Sequence, residues 1–294
     1  MHRQSQYLLQ NERYALFVTA VLAFVPLGAW VSLAIAALVT LRRGWYFGAR
    51  LTIVSAVSTL IAAGMTVDMF QAAPVILSTL VLVYSGAILL RATESWKITT
   101  TVMLFAGLSS IALIHLAAPQ YIEQQYQFIV SVISNAGQDD ALSQLISEAG
   151  INKPALASYM LGVKVFSIIV SALSSLLLAR YVQSMLFYPE GFRKEMLAFR
   201  ASKLGVILLI GVLAGIWQKN AAVVSCLPLI VTYFMAASLS LGFSILKQRR
   251  LVSIVLLFAP LIVVPQIMLP VYVFLGSLDS LVNFRLRLPA KAAE

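Results

Sequence analysis

Hydrophobic residues along this chain come in long, nearly unbroken blocks separated by short polar stretches. The blocks occupy roughly 14–41, 51–67, 72–90, 98–118, 155–186, 204–218, 221–246 and 251–283. About 20 apolar residues in a helix cross the ~30 Å hydrocarbon core of a bilayer. The blocks lack the alternating ~10-residue segments of an outer-membrane barrel. The pattern therefore predicts an all-α, polytopic transmembrane helical bundle with about eight apolar segments.

The polar stretches carry an orientation signal. Four of them hold Arg42, Arg43 and Arg50; Arg91 and Lys97; Arg193, Lys194, Arg200 and Lys203; and Lys247, Arg249 and Arg250. The stretches between hold only Lys153 and Lys219. Basic residues concentrate in cytoplasmic loops, so the first set is expected inside. Three hairpins follow: 51–90, 98–186 and 204–246. Block 14–41 is broken by Pro26 and Gly28, and block 251–283 contains Pro260, Pro265 and Pro270. As one helix of 28 residues the first would reach about 42 Å, against about 20 Å each way as two. The basic residues near both ends (Arg3, Arg13, Arg285, Arg287, Lys291) favour the second arrangement, with each block returning to the inner side.

Composition excludes whole classes of function. Hydrophobic residues make up 61% of the 294, charged residues 11%, and mean hydropathy is +0.92. A soluble domain keeps a large polar shell that this chain lacks. The net charge of +10 is carried by short loops between apolar blocks, which argues for topology rather than nucleic acid. Cys226 is the sole cysteine and stands in an apolar block, so an intramolecular disulfide or Cys-based metal site is impossible. The first ten residues are polar and the block from Tyr14 is too long for a signal h-region, so no cleavable signal is expected. The expected location is a bacterial cytoplasmic (inner) membrane.

Candidate chemistry is sparse. An ionisable residue inside the hydrocarbon is a functional-site hypothesis, and Lys164, within block 155–186, is the clearest. His115 lies one turn from the end of its block and Asp68 follows another. All three fall in the outer third of the membrane, where they are candidates to line a pocket for a small polar solute; the plainer alternative is a snorkelling lysine, a hydrogen-bonded histidine and an interfacial cap. Segment 119–153 is the only long loop. Ile122, Tyr126, Ile129 and Ile133 recur at helical spacing there, and Asp140 to Gly150 suggests a second short helix. Two histidines permit no His-rich metal site. No His-Glu-x-x-His, Gly-x-Ser-x-Gly or phosphate-loop motif occurs, so neither a catalytic site nor a cofactor is expected. Small-residue repeats (Ser167, Ser171, Ser175; Gly211, Gly215; Gly28, Ser32, Ala36; Ala236, Ser240, Ser244) suit close helix packing, within the bundle or against a partner membrane protein.

In segment 187–203, Phe192, Met196 and Phe199 form an apolar stripe edged by Arg193, Lys194, Arg200 and Lys203. This predicts a short interfacial helix contacting anionic lipid or a partner. Here Pro189-Glu190-Gly191-Phe192-Arg193-Lys194-Glu195, followed by Phe199-Arg200, resembles the Pro-Gly-Gly-Phe-x-x-Glu-Phe-x-x-Leu-Arg stretch of the YybS-like family of uncharacterised bacterial membrane proteins. Glu190 departs from a glycine of that pattern. The stretch Gly276-Ser277-Leu278-Asp279 to Phe284-Arg285 is similar to that family's Gly-x-x-Asp…Phe-Arg tail. The family is distantly similar to the S components of energy-coupling-factor transporters. The resemblance implies two short starting helices, an S-component-like unit over 1–186, an added unit over 187–294, and solute binding near the outer face. The expected function is a small-molecule binding or transport subunit dependent on partner subunits, with a non-transporting scaffold or regulator as the alternative.

Overall fold

The computed structural model describes residues 11–25, 28–65, 69–135, 153–218, 220–246 and 250–287. Every regular element among them is helical: α1 Glu12–Ala23, α2 Gly28–Arg43, α3 Trp45–Gly64, α4 Met69–Thr93, α5 Trp96–Ala117, α6 Pro119–Asn135, α7 Lys153–Phe187, α8 Gly191–Ala198, α9 Lys203–Trp217, α10 Ala221–Val224, α11 Leu227–Leu246, α12 Arg250–Val263 and α13 Pro265–Val282, closed by a 3-10 turn at Phe284–Arg287. Among the described residues six helices are long and apolar enough to cross a membrane, or seven if α8 and α9 count as one broken span. The expected all-α multi-span bundle is observed. Packing groups residues 1–103 with 168–199, and 104–167 with 200–294. This grouping does not follow chain order, as the division at 186/187 does.

In the first unit the opening block is two helices. Ser32 Oγ donates to the Thr19 carbonyl at 3.0 Å and pairs with Ser55 Oγ at 2.9 Å. Thr19 stands four residues before the end of α1 and Ser32 four residues after the start of α2, so the two helices run antiparallel. Glu12 at the start of α1 pairs with Arg50 in α3 at 2.8 Å. The hairpin thus opens and closes at the same arginine-rich end. At 1.5 Å per residue its arms are about 18 and 24 Å long, short of a full crossing, and Asn11 caps the first by accepting from the Tyr14 N–H. Leu51, Val83, Ala87, Leu90, Met103, Ala172, Leu176 and Ala179 form the core beneath it. Trp30 Nε1 donates to the Ser171 carbonyl at 3.1 Å, tying α2 to α7.

The second unit contains the matching break. Val264 leaves helical geometry and Pro265 starts α13, as proline does at a first helical position. Tyr272 Oη donates to the Leu257 carbonyl at 2.6 Å, and these residues flank the break symmetrically. Block 251–283 therefore also returns to the end it left. Close backbone approach holds this unit together: a Cβ at Gly162 would stand 2.2 Å from the Ser225 carbonyl oxygen, and one at Gly276 2.2 Å from that of Phe234. Phe234 itself is fully buried.

Candidate functional site

Lys164 lies in the second unit, eleven residues into α7. Its ammonium donates to Tyr121 Oη at 2.8 Å and to Gln125 Oε1 at 2.7 Å, and stands 5.3 Å from the Tyr121 ring centroid. Both acceptors come from α6, where they share a face one turn apart, and Gln125 is buried. The helix expected from Ile122 and Tyr126 therefore exists, and its polar face receives the lysine. Two neutral oxygens satisfy two of the three ammonium donors. Among the described residues no carboxylate pairs with Lys164, so its charge is uncompensated there.

His115 makes a separate group. Its Nε2 is 3.0 Å from Ser225 Oγ, and Ser225 Oγ donates to the Ser158 carbonyl at 2.6 Å. A hydroxyl has one proton. With that proton spent on Ser158, His115 Nε2 is the donor, and a neutral ring keeps Nδ1 as an acceptor. Ser158 and Gly162 sit one turn apart on the face of α7 that meets Ser225. Two residues past Gly162, at about 100° per residue, Lys164 turns away from that face. The structure thus brings Lys164 to Tyr121 and Gln125, and His115 to Ser225, without joining the two in one hydrogen-bonded set. Asp68 and the second loop helix expected at 140–150 lie outside the described residues.

The structure adds two charged clusters that the sequence reading did not assemble. In the first unit, Arg180 grips Glu195 through Nε at 3.0 Å and Nη2 at 2.5 Å, while Trp96 Nε1 donates to the same carboxylate at 2.9 Å. This bidentate pair anchors α8. The stripe Phe192, Met196 and Phe199 packs against the unit's core, and Arg193 and Lys194 face outward. In the second unit, Asp279 is fully buried between Arg200 and Arg285, with Nε to Oδ2 distances of 3.6 and 3.5 Å. Arg200 Nη2 also donates to the Asp279 carbonyl, and Arg285 Nη2 to Ser240 Oγ at 3.2 Å. Burial lowers the Arg285 guanidinium from its ordinary pKa, while the Asp279 carboxylate opposes that shift. The signals for these clusters were an arginine near the end of an apolar block and an aspartate between serines near the end of another. Neither names its partner.

Helix length and hydropathy define the chain as a multi-span helical membrane protein. No family model, curated protein or solved structure matches it. Among the described residues no cluster of His, Cys, Asp or Glu could hold a metal ion.

Proposed function

We propose that this protein is a membrane subunit that binds a small polar solute bearing an anionic group, with Lys164 as the charge that recognises it and an outward-facing entrance. The observation that carries the reading is the Lys164 ammonium, fixed by Tyr121 and Gln125 and carrying no described counter-ion. A charge inside a membrane is costly unless it has a partner or a task. Charge supports the outward placement: Tyr121 and Gln125, which hold Lys164, belong to segment 119–153, which carries a single basic residue where the expected inner segments carry two to four. The likeness to S components supports the same reading, because it implies a returning hairpin at the start and solute binding near the outer face. His115 and Asp68 remain candidates for the entrance, and transport itself would require partner subunits to supply energy.

The test is ligand identification by mass spectrometry on protein purified in mild detergent, comparing wild type with Lys164→Leu. The reading predicts an acidic small molecule on the wild type and at least a tenfold loss on the folded variant, with poor rescue by Lys164→Arg because shape and hydration differ. Equal ligand content in wild type and Lys164→Leu would refute it. A second reading, a scaffold docking other membrane proteins, is favoured by one feature of α9: Gly211 has open space where a Cβ would stand, beside exposed Ile207 and Ile210. Co-purification of a membrane partner that Gly211→Leu removes would select it.

A further inference from the structure

We propose that a cleft at the arginine-rich end of the first unit is a site for the phosphate headgroup of an anionic phospholipid. This goes beyond the solute reading and concerns a different site. The cleft measures about 480 Å³ and lies where α2 ends, α3 begins and α4 ends; Arg43, Gly44, Trp45, Phe47, Ile88 and Arg91 line it. Among the described residues its lining contains two guanidiniums and no carboxylate. The neighbouring Glu12 carboxylate is engaged by Arg50 at 2.8 Å.

Both arginines are held in place. Arg91 Nη1 donates to the Thr40 carbonyl at 3.1 Å, leaving other N–H donors of its fork for a ligand. Gly44, at φ +103°, makes room for it: a Cβ there would stand 3.1 Å from Arg91 Nη1. The Arg43 guanidinium sits 5.6 Å over the Phe47 ring. Planar forks of this kind match phosphate oxygens two at a time, and basic pockets between membrane helices suit lipid headgroups. Trp45, 65% exposed at the start of α3, is of the residue type enriched at membrane interfaces.

A lipid fits better than free phosphate because apolar surface continues from the cleft. On α4, Ile88, Val81 and Leu77 fall on one helical stripe, and Val81 and Leu77 are exposed. On α3, Ile53, Val57 and Ile61 are exposed as well. Acyl chains would lie along this surface while the headgroup meets Arg43 and Arg91.

The experiment presents the full chain in mild detergent with equal amounts of dioleoyl phosphatidylglycerol and dioleoyl phosphatidylcholine, and reads the retained ratio by native mass spectrometry. Wild type should favour phosphatidylglycerol by about tenfold or more. Arg43→Gln with Arg91→Gln should abolish the preference, whereas Arg13→Gln with Lys97→Gln, an equal charge loss outside the cleft, should keep it. Excess inorganic phosphate should leave it intact. If the double cleft variant misfolds, Arg43→Gln alone, which retains the Arg91–Thr40 bond, should cut the preference several-fold. The proposal is overturned if wild type shows no preference, if the folded cleft variants keep it, if the control pair loses it equally, or if inorganic phosphate displaces the lipid.

Discussion

Asp279 has no solvent exposure, and two arginines converge on it. Removing its charge leaves both guanidiniums facing each other with no negative charge between them. Asp279→Asn should therefore cost about 3 kcal/mol, the low end for breaking buried ion pairs, because the arginine side chains keep 22% and 14% exposure. Thermal unfolding in detergent would register this as a clearly lowered Tm, and an unchanged Tm would show that the cluster does not hold the fold. Glu190 presents the opposite case. It stands at φ 69° before α8, the left-handed region that favours glycine, at the position where the resembling motif has glycine. Its side chain is exposed and caps nothing. Glu190→Gly should raise stability by about 1 kcal/mol, measured in the same unfolding experiment.

Among the elements, hydropathy located most of the spans because apolar length is a direct consequence of bilayer thickness. That both end blocks are broken was legible too, since proline removes a helical donor and basic residues flank both blocks; which proline breaks the last one was not, because Pro260 and Pro270 stand inside helices and Pro265 starts one. The amphipathic face of α6 was visible from Ile122 and Tyr126. Its role in holding Lys164 was not, because helical spacing says which residues share a face and nothing about what that face meets. The same limit hid the Arg180–Glu195 and Arg200–Asp279 pairs, whose members lie 15 and 79 residues apart. Small residues divide in a testable way. At Gly162 a Cβ meets backbone, which cannot swing aside; at Gly211 it meets nothing within 4 Å. Gly162→Leu should destabilise by at least about 1–3 kcal/mol, while Gly211→Leu should stay within about 0.5 kcal/mol of wild type. Equal loss at both positions would mean that the observed approach of α7 to Ser225 is wrong.

At the scale of the whole molecule, the proposed function requires that the basic ends of both returning blocks face the inner side of the membrane and that Lys164 be reached from the outer side. The measurement that tests this most directly is accessibility of single cysteines to a membrane-impermeant maleimide in intact and permeabilised cells. Cys226, the sole native cysteine, is first replaced by alanine. Arg13→Cys, Arg193→Cys and Val282→Cys should label only after permeabilisation, and Gln124→Cys, exposed on the helix that binds Lys164, should label in intact cells. Labelling of position 13 or 282 in intact cells, or protection of position 124 until permeabilisation, would contradict this arrangement and the outward-facing site built on it.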